Sequence, residues 1–148
     1  PSVGGGRVSQ MSESFPHTSI DIKDRAVILP SNGRVPGIPG WRWIHTPGHT
    51  QGHISLFREM DRTLIAGDAL SSTKQESLLS VLTQNKQISG PPAYLTEDWQ
   101  AAKESIIKLK ELNPHIVITS HGKPMRGIEV KQNLDFLVEN FDQIAKLR

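Results

Sequence analysis

An α/β fold is predicted for this chain of 148 residues, and three observations predict it. Short β-rich runs at 41–45, 53–57, 63–66 and 115–119 are bounded by loops rich in Pro, Gly and Asn. Two longer stretches, one opening at Thr96 and one running through Val130, place apolar residues on a 3.6-residue period. The composition, 36% hydrophobic and 22% charged, is that of a globular chain long enough for one domain and too short for two.

Residues 1–24 carry Gly4, Gly5, Gly6 and several serines with little apolar periodicity, and read as a linker or disordered lead-in. The glycine run follows no predicted strand and opens no helix, which argues against a phosphate loop. Arg25 to Leu29 is a β-like run and Pro30 to Gly40 a loop. Trp41 to His45 reads as a strand, with Trp41 and Trp43 on one face, and Thr46 to Gly52 as a loop. His53 to Phe57 and Thr63 to Ala66 form a hairpin around the turn at Glu59 to Arg62. Ser72 and Gln75 fit a capping box that opens a helix through Leu82. Thr96 is expected to cap the next helix, with Glu97 and Asp98 in its first turn. Its apolar stripe is Trp99, Ala102, Ile106 and Leu109, and Pro114 ends it. The polar face, with Lys103, Lys108 and Lys110, reads as solvated. His115 to Thr119 is a β-branched strand suited to burial on both faces. A last helix carries Val130, Leu134, Leu137, Val138, Phe141, Ile144 and Ala145 on one side.

Several function classes are excluded or disfavoured. The chain has no cysteine, so it has no disulfide framework, thiolate metal site or cysteine nucleophile. No apolar run approaches the roughly 18–20 residues that span a bilayer, so no membrane partner is expected. A formal charge of +2 does not point to nucleic acid. No basic segment leads into an apolar one as in a secretory signal, and a cytoplasmic location is expected.

The histidines point to chemistry. Five of the six lie in 45–53 or 115–121. Strand 41–45 delivers the loop holding His49 to one edge of the sheet. The hairpin returns to that edge with Asp68, and a strand 115–119 parallel to 63–66 delivers His121 there. Two imidazoles and a carboxylate would then converge on loops at strand ends, where α/β folds place their chemistry. That donor set suits Zn, Fe or Mn. Gly48, Gly67 and Gly122 adjoin the three residues and allow close backbone approach. His45 and His53 are read as supporting residues behind the site. Lys123 and Arg126, just beyond His121, can hold an anionic substrate or stand in an exposed turn. His115 and His17 read as surface residues, and Trp99 as core.

The words His45-Thr46-Pro47-Gly48-His49-Thr50-Gln51-Gly52-His53, Ala66-Gly67-Asp68-Ala69 and Thr119-Ser120-His121-Gly122, in that order, are more specific. Over residues 25 to 147 the chain resembles the C-terminal half of the metallo-β-lactamase superfamily, including glyoxalase II-like hydrolases. The resemblance implies part of an αββα sandwich, with residues 25–148 its C-terminal half and the N-terminal His-x-His-x-Asp-His motif absent. It implies a metal site, often dinuclear. His49 would belong to the first metal, His121 to the second, and Asp68 would bridge them and act in catalysis. The implied function is hydrolysis of an ester, thioester, lactone or related bond in a small-molecule substrate. Metal-bound hydroxide would attack, the bound water having its pKa lowered to about 7. The implied partner is the missing N-terminal half, or a second copy covering the exposed sheet face. The alternative is a non-catalytic truncated fragment or interaction module with weak or no metal binding.

Overall fold

The computed structural model describes residues 21–72, 88–91 and 96–146, the last three without their side chains. Its strands are β1 (Trp41–His45), β2 (Ile54–Arg58), β3 (Thr63–Gly67), β4 (Ile116–Thr119) and β5 (Met125–Arg126). Helix α1 (Trp99–Glu111) lies between β3 and β4, and α2 (Ile128–Lys146) follows β5. The sheet has the order β1-β2-β3-β4-β5. Only β3 and β4 are parallel, and the segment between them contains the crossover helix that a parallel pair needs.

Register decides which residues meet. Phe57, Leu64, Val117 and Met125 stand opposite one another across four strands, and all are buried. Against this row pack Ala102, Ile106 and Leu109 of α1 and Val130, Leu134, Leu137 and Phe141 of α2, at steps of three and four that keep each set on one helix face. Strand residues alternate between faces, so the next row, Trp43, Leu56, Ile65 and Ile118, lies on the side away from the helices. These four are half-buried. The Arg58 guanidinium covers the Trp41 ring on that same side, 4.7 Å from its centroid. One sheet with helices on one face is half of an αββα sandwich.

Several local expectations change. Arg25–Leu29 is not a strand. Lys23–Arg25 forms a 3-10 turn, and Val27 and Ile28 are 75% and 93% exposed with no strand pairing among the described residues. The outer edge of β1 is instead occupied by the following loop, through Trp43 N–H to Gly33 O at 2.7 Å. Asp98, not Thr96, caps α1, its carboxylate accepting from Ala101 N–H at 2.9 Å. An aspartate at the helix boundary takes that bond directly, so Glu97 and Asp98 precede the first turn. Strand β5 and the start of α2 at Ile128 lie outside the sequence reading because two residues leave no periodicity to detect. The helix expected from Ser72 through Leu82 falls, beyond Ser72 itself, outside the described residues, as does His17. The lysines of α1 are engaged rather than simply solvated: Lys103 pairs with Asp142, Lys110 with Asp135, and Lys108 donates to His45 O. Trp99 packs against the core, its ring 6.0 Å from Phe141.

Candidate functional site

Strands β1, β3 and β4 all end at one edge of the sheet, so the loops after them share it. The loop after β1 is pressed onto the start of α1. Gly48 O accepts from Glu97 and Asp98 N–H, both at 3.0 Å, and Pro47 O accepts from Ser105 Oγ at 2.7 Å. A Cβ on Gly48 would lie 2.4 Å from Ala102 Cα, so only glycine permits this approach. The contact turns His49 inward and leaves its side chain 11% exposed.

Asp68 follows β3. One of its carboxylate oxygens, Oδ2, lies 3.7 Å from His49 Nε2, and the other, Oδ1, lies 3.4 Å from His121 Nε2. The structure thus brings His49, Asp68 and His121 together, with one imidazole beside each oxygen. Neither pair is a hydrogen bond. Asp68 Oδ1 and His49 Nδ1 are buried with no hydrogen-bond partner among the described residues. Buried polar atoms are normally satisfied, so each of these calls for an explanation. Imidazole nitrogen and carboxylate oxygen held just beyond hydrogen-bonding distance fit a cation in kind. In number they fall short. Each oxygen-histidine pair gives two ligands where a catalytic zinc takes three from protein. No group of three or more His, Cys, Asp or Glu side chains among the described residues is arranged to hold a metal ion.

His53 stands behind the site. Its Nε2 accepts the Asp68 backbone N–H at 3.0 Å, which makes that nitrogen the unprotonated one. The proton then sits on Nδ1, which faces Thr46 O at 3.1 Å and Thr46 Oγ1 at 2.8 Å. Thr46 Oγ1 contacts Ser55 Oγ, and Ser55 Oγ donates to Ala66 O. This chain ties the loop of His49 to the loop of Asp68. Burial pushes the His53 pKa down, against a smaller rise from the Thr46 backbone, and the neutral ring suits its role as acceptor. Gly67, at φ +59°, lets His53 come this close, since a Cβ there would lie 2.8 Å from Nε2.

The other candidates are placed differently. His45 is exposed, and its Nε2 bonds Gln51 O at 2.8 Å, bracing the loop from outside without a hydrogen bond to His49, Asp68 or His121. Lys123 and Arg126 are exposed, with no ion pair among the described residues. His115 is exposed, and its N–H donates to Arg62 O. Thr46 and Ser55 tie the site's loops together without having been singled out in the sequence, and the Ser72 hydroxyl lies 2.7 Å from Lys123 O, beside His121. Thr46 sits inside the motif, whereas Ser55 and Ser72 carry no signal that separates them from ordinary strand and cap serines.

The chain belongs to the metallo-beta-lactamase superfamily, whose family model matches residues 3–121. That match begins within the segment 1–24. The chain is 45% identical over 144 residues to the probable metallo-hydrolase YflN of Bacillus subtilis (strain 168), covering 97% of this chain and 54% of YflN. It is 27% identical over 95 residues to the probable metallo-hydrolase YqjP of the same organism, covering 64% of this chain and 28% of YqjP. The chain therefore spans about half the length of YflN and less of YqjP. Among solved structures, the peroxy diiron species of the chemotaxis sensor ODP matches with a TM-score of 0.53 at 19% identity, covering 78% of this chain and 52% of that one. Its apo state, from T. denticola, matches with a TM-score of 0.50 at 20% identity, covering 76% and 50%. These two likenesses concern the fold alone. No helix among the described residues is long and apolar enough to cross a membrane.

Proposed function

We propose that this chain carries half of the active site of a metal-dependent hydrolase acting on an ester, thioester, lactone or related bond of a small molecule. The observation that carries the reading is Asp68 with one imidazole beside each carboxylate oxygen and two buried donor atoms left unpartnered. The naming of YflN and YqjP as probable metallo-hydrolases supports it. In this reading His49, Asp68 and His121 are ligands, with Asp68 shared between two positions. A bound Zn²⁺, or Fe or Mn, would supply Lewis acidity and lower the pKa of water to about 7. Asp68 is the residue that orients the attacking water. His53 fixes Asp68 through its backbone N–H, and the Thr46–Ser55 chain fixes His53. Lys123, exposed two residues beyond His121, attracts an anionic group of the substrate, whereas Arg126 pairs with Ile116 at the start of β4, the end away from His121, and is not part of this reading. The remaining ligands come from the other half of the sandwich, which would also cover Trp43, Leu56, Ile65 and Ile118.

The ligand shortfall favours a second reading, a non-catalytic module that binds metal weakly. Metal analysis of the complete sandwich, with turnover on a thioester and lactone panel, separates the two. The first reading expects stoichiometric metal and hydrolysis when the sandwich is complete. Metal-free protein with no turnover in the complete sandwich would refute it.

A further inference from the structure

We propose that Ser72 is a positioning residue that locks His121 beside Asp68, a role that rests on the metal-site reading above. His121 is 56% exposed and lies on a loop, so packing alone does not fix it. Its backbone is held instead. Ser72 N–H donates to His121 O at 3.0 Å, and Thr119 Oγ1 donates to the same oxygen at 2.7 Å. The single proton of the Ser72 hydroxyl goes to its shortest acceptor, Lys123 O at 2.7 Å, with His121 O at 3.2 Å and Thr119 Oγ1 at 3.1 Å as poorer alternatives. Ser72 therefore grips the carbonyls on both sides of Gly122. Gly122 has φ +100°, and a Cβ there would fall 2.4 Å from Ser72 Oγ, so the loop is shaped to admit this serine. The two segments meet as a parallel bridge between Ser72 and Gly122.

Position along the chain gives the clamp its meaning. Asp68 and Ser72 are four residues apart on one segment. The residues between are anchored, Ala69, Leu70 and Ser71 by burial and Ser71 also by paired backbone bonds to Ser89. One end of this short strap presents the carboxylate, and the other holds the loop that presents His121. The distance from His121 Nε2 to Asp68 Oδ1 is thereby set through Ser72, which touches neither group.

The test uses Co²⁺ binding to the full chain, followed by visible absorption. Ser72→Ala should weaken Co²⁺ about 10–100-fold, the usual effect of losing a group that orients a ligand, while Ser72→Thr keeps the hydroxyl and wild-type affinity. A positioning residue acting through His121 adds nothing once that ligand is gone. Ser72→Ala/His121→Ala should therefore bind no more weakly than His121→Ala. Wild-type affinity in Ser72→Ala, or a further tenfold loss in the double variant, overturns the proposal. If the wild-type chain by itself takes up no Co²⁺, the metal-site reading passes to the complete sandwich, and ¹⁵N relaxation of residues 120–123 in the metal-free chain decides the clamp. Order parameters should fall in Ser72→Ala and recover in Ser72→Thr, and unchanged values in Ser72→Ala overturn it.

Discussion

Gly48→Ala is the sharpest perturbation of the site's scaffold. The added Cβ would lie 2.4 Å from Ala102 Cα, 2.5 Å from Ala102 N and 2.6 Å from Ala102 Cβ, all on α1. Two of the three are backbone atoms, so no side-chain rotation relieves the overlap. Forcing an extra carbon into a packed contact costs about 1–3 kcal/mol. Gly48 also sits at φ +135°, where an L-residue is strained by about 1–3 kcal/mol. The two costs together reach about 2–6 kcal/mol, a large share of the 5–15 kcal/mol typical of a whole domain. Relief by separation would break the bonds from Glu97 and Asp98 N–H to Gly48 O and turn His49 away from Asp68.

Urea unfolding measures this directly. At a slope of about 1.5 kcal/mol/M, a loss of 3 kcal/mol moves the midpoint by about 2 M. Gly52→Ala is the control, because nothing lies within 4 Å of a Cβ there and its φ is not in the strained range. Its effect should stay within about 0.5 kcal/mol. Ala102→Gly should not rescue Gly48→Ala, since the closest two overlaps remain when the Ala102 methyl is removed. A Gly48→Ala variant as stable as Gly52→Ala, or rescue by Ala102→Gly, would refute the packing argument.

Three further outcomes are expected. In the complete sandwich, Asp68→Ala abolishes hydrolysis and His115→Ala leaves it nearly unchanged, and equal turnover of the two would show the roles misassigned. Arg58 donates twice to Asp61, at 2.9 and 2.6 Å, and holds its carboxyl well below the usual carboxylate range. The unfolded chain then takes up this proton first, so the stabilisation is present above about pH 4 and is lost as pH falls below it. Arg58→Gln should flatten stability against pH between 5 and 2, and an unchanged slope counts against the pair. Sedimentation of the isolated chain should show self-association through the face of Trp43, Leu56, Ile65 and Ile118. A Leu56→Lys variant should reduce it, and a monomer at all concentrations would show that the face needs no cover.

The sheet and α1 were legible because each leaves a periodic trace. Trp41 to His45 and Thr63 to Ala66 lie between turn residues, and the stripe Ala102, Ile106, Leu109 repeats at helical spacing. The run Arg25–Leu29 misled because β-branched composition records a preference for a pleated, half-buried surface. With no strand pairing among the described residues, Val27 and Ile28 stay exposed. The meeting of His49, Asp68 and His121 followed from strand direction, since one parallel pair sends two loops to the same edge. Of their supports, His53 was read from the motif, whereas Ser55 and Ser72 were not legible. Ser72 reads locally as a helix cap, and that reading does not reveal that its hydroxyl serves the Lys123 carbonyl about fifty residues away.

Backbone contacts do most of the positioning at this site. His49 is aimed by Gly48 lying against the Ala102 backbone, Asp68 by its own N–H on His53, and His121 by its carbonyl on Ser72 and Thr119. The side-chain donors themselves spend no hydrogen bond on one another, and two of their atoms have none among the described residues. Such an arrangement is unfavourable for stability alone, because a buried polar atom without a partner costs about 1–3 kcal/mol. A scaffold selected only to fold would let His49 swing the roughly 0.5–1 Å needed to hydrogen-bond Asp68. Here the glycine contacts and backbone bonds hold it off at 3.7 Å. The spacing is imposed by the surrounding loops, and under the metal-site reading a cation would take the place of the missing hydrogen bonds. Replacing Asp68 by Asn, which keeps the shape and the backbone bond to His53 while removing the charge, should raise the stability of the metal-free chain and lower its affinity for Co²⁺. A stability loss in the metal-free Asp68→Asn variant would mean that the carboxylate serves the fold, and the imposed spacing would need another cause.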